Sequence, residues 1–153
     1  MKYYIVDAFA DKPFGGNPAG VVLLEDDAFP EEELMLNIAA ELRYSETAFV
    51  RRHSVQEFTV RYFTPKAEVE LCGHATIASF YLLHVKGLAS GQCLCHTKAG
   101  DLLIQTGEKV MMQMAPPVLW RPWPRPRRFI VPWGWNVAGR RCPCRKYMRG
   151  CPI

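Results

Sequence analysis

The amino-acid sequence predicts an α+β domain in which strands surround one buried helix and a second helix lies outside. The central helix is predicted from residues 77–85, which contain no Gly or Pro, are apolar nearly all round and are followed by Gly87. The strands are predicted from short segments rich in β-branched and aromatic residues. Because a helix that is apolar on every side has to be covered on every side, we expect a sheet to enclose it.

The strands follow one another along the chain, separated by turns. They are expected at residues 3–6, 20–24, 47–50, 57–63, 92–97, 101–105 and 109–114. In the fourth of these segments Phe58, Val60 and Tyr62 occupy alternate positions, so they should share the buried face.

An outer helix is predicted over residues 30–43. Pro30 is expected at its first position and three glutamates in its first turn, where the helix dipole favours negative charge. Its apolar residues recur at helical spacing and should form one stripe that packs on the sheet. That stripe is expected to comprise Leu34, Ile38 and Leu42, with Met35 and Ala39 alongside.

Charge and composition change sharply near Met114. Residues 1–114 hold all 15 acidic residues and 10 of the 19 Lys and Arg, whereas residues 115–153 are basic and contain no acidic residue. The second segment also holds all 4 Trp, is rich in Pro and shows no hydrophobic periodicity. The net charge of +4 therefore averages two unlike parts, which need separate explanations.

Glu46 is a candidate general acid or base. It enters a strand of apolar residues, and a carboxylate held in apolar surroundings has a raised proton affinity. The alternative is an ordinary solvated loop acid, the commoner role for a single Glu.

Cys72 and His74 lie in the first turn of the central helix, where unpaired N–H groups and the helix dipole favour an anionic ligand. The dipole there should also make the Cys72 thiol easier to ionise. The alternatives are a buried Cys that acts as a small hydrophobe and a His that caps the helix. Asn17, between Gly16 and Pro18, is expected to shape its turn.

The cysteine spacing argues against a metal site. Cys93 and Cys95, like Cys142 and Cys144, are separated by one residue, whereas paired zinc ligands usually have two or more residues between them. No metal is therefore expected. The chain begins with a predicted strand and no segment is apolar for long enough to span a bilayer, so we expect a cytoplasmic protein without membrane contact.

Four motifs occur in an order and spacing that match one known family. They are Asp7-Ala8-Phe9, Phe14-Gly15-Gly16-Asn17-Pro18-Ala19, Ser45-Glu46-Thr47-Ala48-Phe49, and the segment from Phe63 that ends in Leu71-Cys72-Gly73-His74-Ala75-Thr76. In these motifs the chain resembles the N-terminal lobe of phenazine-biosynthesis PhzF-like proteins, which are related in fold to diaminopimelate epimerase. The resemblance covers about residues 1–117.

This resemblance implies a two-lobed protein, each lobe a mostly antiparallel sheet around a central helix, with the active site between the lobes and no metal or organic cofactor. The implied activity is that of an isomerase or epimerase, which moves a proton on a small carboxylic-acid metabolite in a biosynthetic pathway. Glu46 takes the position of the family's proton-shuttling acid. Cys72 takes that of a catalytic thiol in diaminopimelate epimerases, and His74 that of a residue at the active site.

The partner that the resemblance implies is a small anionic metabolite. Its implied contacts are Asn17, Ser45, Gly73, His74, Ala75 and Thr76. A one-base proton shift through Glu46 and a two-base epimerisation that also uses Cys72 are both chemically possible.

Residues 118–153 depart from the family's pattern. The family's second lobe adds an acidic residue and an anion-binding turn to the cleft, and the sequence shows neither. We expect a PhzF-like lobe at residues 1–117 and a basic Pro/Trp/Arg-rich tail at 118–153 that is frameshifted or disordered, with the second lobe missing and the activity impaired. Reading the other two frames past codon 114 tests this hypothesis, which fails if no second lobe appears there.

Two further interpretations stay open. A small non-catalytic protein would bind nucleic acid or an anionic surface through the basic tail. Nucleic acid is the less favoured partner, because aromatic residues without periodicity do not specify a groove. Alternatively, the lobe pairs with a second copy through an apolar inter-lobe face, so a homodimer is expected.

Overall fold

The structure is a computed structural model and describes residues 1–12, 14–25 and 28–113. These residues form eight strands and two helices. The elements are β1 (Lys2–Ala8), β2 (Asn17–Leu23), α1 (Glu32–Leu42), β3 (Thr47–Arg52), β4 (Glu57–Phe63), β5 (Glu68–Val69), α2 (Gly73–Val85), β6 (Gln92–Thr97), β7 (Gly100–Gln105) and β8 (Met111–Met112). The predicted boundary at residue 117 and the predicted tail at 118–153 lie outside the described residues.

All eight strands belong to one mixed sheet. Its order is β1-β2-β3-β4-β6-β7-β8, with β5 paired to β4 beside this path. The pairs β2–β3 and β4–β6 are parallel, and the other pairs are antiparallel. Each parallel pair is joined by a helical crossover, α1 for the first and α2 for the second, as parallel strands require. The predicted α+β fold with a mostly antiparallel sheet is confirmed.

The main core lies between α2 and the sheet. Phe58 and Phe80 meet edge to face there, with ring centroids 5.2 Å apart, and join β4 to the middle of α2. As predicted, Phe58, Val60 and Tyr62 are all fully buried on this face. The core therefore fixes α2 against the centre of the sheet, and with it the first turn of the helix.

A second, smaller core lies under α1. Met35 and Ala39 are buried there against Phe49 and Phe63, whose rings also meet edge to face. Two details of the predicted helix are wrong. Pro30 precedes the helix, because Glu31 is the N-cap residue, and Leu34 is 47% exposed because the helix turns its Met35–Ala39 side to the sheet.

The central helix is not buried on every side, contrary to the prediction. Tyr81 is 50% exposed and Val85 is 64% exposed. A groove lined by β1, α2 and residues 108–110 runs beside Tyr81. The reason is topological: β1 and β8 end the strand order, and in the described part of the chain they do not pair with each other.

Two short strands, β5 and β8, differ from the predicted elements. The two-residue strand β5 was not predicted, since it is too short to show any periodicity. β8 covers Met111–Met112, a shorter strand than the predicted 109–114. Neither described helix combines the length and the hydropathy that crossing a membrane requires.

Candidate active site

Glu46 is the residue directly before β3, one of the inner strands of the sheet. Its main-chain carbonyl accepts a hydrogen bond of 3.1 Å from the amide of Gly20 in β2. In the next position Gly20 is in register with Thr47, and a side chain at Gly20 would come within 2.7 Å of the Thr47 hydroxyl oxygen. The absence of a side chain at Gly20 therefore lets β2 approach β3 closely at the base of Glu46.

Cys72 and His74 are positioned by the start of α2. Cys72 is the N-cap residue, with an extended backbone, and its carbonyl accepts hydrogen bonds from both the amide and the hydroxyl of Thr76, at 3.0 and 2.7 Å. His74 stands in the first helical turn. The first turn of α2 thus holds the thiol of Cys72 and the imidazole of His74 close together at the start of the helix.

The structure brings the predicted catalytic side chains together. Cys72 Sγ lies 3.2 Å from His74 Nδ1, and Glu46 Oε2 lies 3.5 Å from His74 Nε2. The hydroxyl of Ser45 lies 3.5 Å from the same Nε2 atom. The imidazole therefore contacts the thiol through one ring nitrogen and the carboxylate and hydroxyl through the other.

Burial and charge set the protonation of the thiol. Burial raises the pKa of Cys72 above its ordinary value and the negative charge of Glu46 acts in the same direction, while the amides of Ala75 and His74 act against them. The predicted ease of ionisation is therefore wrong, because desolvation and the carboxylate outweigh the helix terminus. The thiol can donate to Nδ1, and a ring that carries its proton on Nε2 directs that proton to Glu46 and Ser45.

A buried chain of hydroxyls supports the site from below, and sequence reasoning missed it. Because Thr76 gives its only hydroxyl proton to the Cys72 carbonyl, Tyr62 donates to Thr76, across 2.7 Å. Burial raises the pKa of Tyr62, so its hydroxyl keeps this proton. The available signal was Tyr62 itself, since a Tyr on a buried strand face needs a polar partner.

The other predicted substrate contacts are more dispersed. Asn17 is exposed at the start of β2, in register with Ala8. Ala75 and Thr76 are fully buried, and both polar hydrogens of Thr76 are directed to the Cys72 carbonyl. Gly73 lies in the first turn of α2, between Cys72 and His74. The substrate-binding roles of these residues stay predictions.

Comparison with known proteins decides the family. The family described as PhzC-PhzF, phenazine biosynthesis-like protein, matches residues 6–127, which extends past the predicted end of the lobe at residue 117. The chain belongs to the PhzF family. Its candidate site consists of the residues that carried the resemblance in the sequence.

Individual relatives within the PhzF family agree. The chain is 49% identical over 111 residues to the uncharacterized isomerase YfhB of Bacillus subtilis, a match that covers 71% of this chain and 36% of that protein. It is 41% identical to a crystal structure of a PhzF-family phenazine biosynthesis protein from Enterococcus faecalis, with a TM-score of 0.63 over 69% of this chain and 40% of that one. The chain thus spans little more than a third of the length of these relatives.

A more distant structure extends the likeness in fold alone. A protein named a predicted epimerase from Pseudomonas aeruginosa has 24% sequence identity and a TM-score of 0.59, over 71% of this chain and 40% of that chain. The PhzF-family lobe described here therefore has the fold of the epimerase-like proteins.

Proposed function

We propose that this lobe carries the proton-transferring side of the active site of a PhzF-type isomerase, which acts on a small carboxylic acid in a biosynthetic pathway and needs no metal or organic cofactor. The observation that carries the proposal is the contact of 3.5 Å between Glu46 Oε2 and His74 Nε2 at the start of α2. It pairs a partly exposed carboxylate with an imidazole at a helix terminus that favours anions.

Glu46 is the proton carrier in this proposal. Its carboxylate removes a proton from a carbon of the substrate, and the electron pair left behind is delocalised into the conjugated acid. The resulting carboxylic acid then returns the proton to a second carbon, so that one group serves as base and acid. The side chain is 24% exposed, which lets it reach a bound ligand while its main chain stays fixed by β2.

His74 and the start of α2 bind and orient the substrate. The Nε2–H group is directed to the side of the ring where Glu46 and Ser45 lie, so it can donate to a substrate oxygen held beside them. The positive end of the α2 dipole stabilises the negative charge of the substrate carboxylate. The positive end of α2 therefore sets which end of the substrate faces Glu46.

Cys72 distinguishes the two mechanisms that the sequence left open. Burial and the Glu46 charge raise the pKa of Cys72, and a neutral thiol beside Nδ1 can donate a proton but cannot remove one from carbon. We therefore propose the one-base route through Glu46, with Cys72 as a positioning residue that fixes the His74 tautomer. A two-base epimerisation would require the thiol to exchange protons with substrate carbon.

Proton exchange with solvent tests this proposal. Cyclic dienoic acids and amino-dicarboxylic acids are incubated in D2O with the chain, and deuterium at carbon is followed by NMR. Glu46→Gln should reduce incorporation by about 10²- to 10⁴-fold, the usual contribution of a general acid or base. Cys72→Ser should keep most of it, and equal loss in both variants would instead favour the two-base route.

Binding provides a second readout, because the proposed activity is that of a two-lobed protein and the single lobe is expected to work more slowly. Shifts of the Gly73 and His74 amide signals on addition of the acids report binding without turnover. Incorporation that is unchanged in Glu46→Gln, or acids that shift none of these amides, would contradict the proposal.

A further inference from the structure

Glu46, Cys72 and His74 bring three different ligand chemistries to one place. One donor atom from each residue lies within 4.8 Å of the other two, and within residues 1–12, 14–25 and 28–113 no other group of three such residues is so placed. Carboxylate, thiolate and imidazole are the groups that zinc accepts in proteins. None of the closely spaced cysteines for which a zinc site was judged unfavourable, Cys93, Cys95, Cys142 and Cys144, belongs to this set.

We propose that the active site also binds a divalent zinc-type ion through Glu46, Cys72 and His74, and that the ion inhibits the enzyme by occupying its proton carrier. The inhibition rests on the proposed function. The binding rests on the geometry of the three side chains alone.

The spacing of the donors is close to what the ion requires. Around tetrahedral zinc, donor atoms lie about 3.3–3.5 Å apart, given bonds of about 2.0–2.3 Å. Cys72 Sγ and His74 Nδ1 are 3.2 Å apart, so this pair can bind one ion almost without movement. The widest separation in the set, up to 4.8 Å, has to shorten by as much as about 1.5 Å.

Glu46 is the side chain that can supply this movement. Its carboxylate now faces the other ring nitrogen, Nε2, and its side chain is 24% exposed, compared with 12% for His74. Cys72 and His74 are held by the start of α2, whereas the Glu46 side chain can rotate toward the ion. Three protein ligands leave the fourth position for water, as in zinc sites that remain open.

Binding changes the state of the two groups that matter most. The Cys72 proton is released to solvent as the thiolate becomes a ligand. The Glu46 carboxylate then holds the ion in place of a substrate proton, and the positive charge of the ion sits where the carbon acid would be. Substrate and ion therefore compete for one site.

Cobalt spectroscopy tests the site directly, with Co²⁺ as the probe. Three further thiols, Cys142, Cys144 and Cys151, are removed first as C142S/C144S/C151S, because they are potential metal ligands themselves. In this background one equivalent of Co²⁺ should produce a thiolate-to-cobalt charge-transfer band, and Zn²⁺ should displace it. Cys72→Ser should abolish the band, whereas the matched control Cys93→Ser should keep it.

Glu46→Gln provides an independent test, since it leaves every thiol in place. It should weaken Co²⁺ binding at least about 10-fold. Loss of a residue that only hydrogen-bonds to a metal ligand already costs about 10-fold or more in metal affinity, so loss of a ligand itself should cost at least as much. Circular dichroism checks that each variant is folded. If Cys72→Ser is not folded, the Co²⁺ affinity of Glu46→Gln alone tests the proposed metal site. The proposal is overturned if the background shows no band, if the band survives Cys72→Ser, or if Glu46→Gln binds as tightly as the background.

These outcomes separate the metal site from the isomerase. If Glu46→Gln abolishes deuterium incorporation and Co²⁺ does not bind, the proposed function stands and the metal site fails. If Co²⁺ binds as expected and Glu46→Gln leaves deuterium incorporation unchanged, the metal site stands and the proposed function fails.

Discussion

The hydroxyl groups of Tyr62 and Thr76 lie 2.7 Å apart beneath the candidate site. The bond joins the end of β4 to the first turn of α2, and Thr76 continues it to the carbonyl of Cys72. Both side chains are fully buried, so their polar atoms depend on each other. The position of Cys72 and His74 over the sheet is therefore linked to β4.

Removal of the Tyr62 hydroxyl should weaken the fold. Tyr62→Phe leaves the buried Thr76 oxygen without its donor, so the free energy of unfolding should fall by about 0.5–1.5 kcal/mol. Urea denaturation followed by circular dichroism measures the difference. Tyr81→Phe is the matched control, because Tyr81 is 50% exposed, and an equal loss there would show that the buried bond is not responsible.

A side chain at Gly20 should collide with the strand that carries Glu46. Gly20→Ala places a methyl group 2.7 Å from Thr47 Oγ1 and 3.1 Å from Thr47 Cγ2, and overpacking of this kind costs about 1–3 kcal/mol of unfolding free energy. Thr47→Ala removes both atoms, so the double variant should lose less stability than the sum of the two single variants.

Gly107→Ala is the control for this pair, because the nearest atom to a side chain there is 3.9 Å away. Thermal unfolding of the four variants gives the comparison. Strictly additive losses for Gly20→Ala and Thr47→Ala would mean that the close approach of β2 to β3 does not limit the position of Glu46.

The ion pair of Glu68 should make stability depend on acid pH. Arg61 holds the pKa of Glu68 below its usual value through bonds of 2.7 and 3.0 Å, and the Glu68 side chain is only 8% exposed. A lowered folded pKa contributes stability above the unfolded pKa of about 4.3, and that contribution is lost as pH falls through the folded pKa.

Glu68→Gln should therefore reduce the free energy of unfolding by about 1–3 kcal/mol at neutral pH, between the values for exposed and buried pairs. The difference from the unaltered chain should shrink below about pH 4.3. Glu25→Gln, in an exposed pair with Lys2, should change little at any pH. A difference for Glu68→Gln that stays constant from pH 7 to pH 3 would contradict the assignment.

Phe80 should be the most sensitive apolar contact between α2 and the sheet. Phe80→Ala removes the edge-to-face partner of Phe58 and leaves a cavity, so we expect a loss of about 3–5 kcal/mol. Phe14→Ala, at a position 98% exposed, should leave the unfolding midpoint in place. Similar midpoints for the two variants would show that this ring pair contributes little.

Sequence reasoning succeeded where local pattern decides the structure. The bounds of β4 and β6 match the predicted 57–63 and 92–97, because alternation and flanking turns define both. It failed for α2, whose composition is apolar all round although Tyr81 is half exposed. Whether the ends of a sheet pair over a helix is a property of the topology, which no local window contains.

The candidate site shows the same division. Glu46, Cys72 and His74 were identified as candidate catalytic residues from the sequence alone. That their side chains meet at one point is a property of the fold, which brings the start of β3 next to the start of α2. The ionisation of Cys72 was predicted in the wrong direction, because its burial and the nearby Glu46 charge depend on contacts far apart in sequence. The position of Cys72 at a helix terminus predicts only the lowering of its pKa, which is weaker than the opposing effect of burial.

The parallel pairs of the sheet have a consequence for how the chain reaches its native state. Gly20 pairs with Thr47 and Phe58 with Cys95, so both pairs close long loops before any ladder forms. Ser45 lies in the first of these loops and His74 in the second, so their contact joins the two loops. Refolding should therefore restore helical circular dichroism before it brings Ser45 and His74 together, and the formation of that contact would mark the slowest step of assembly.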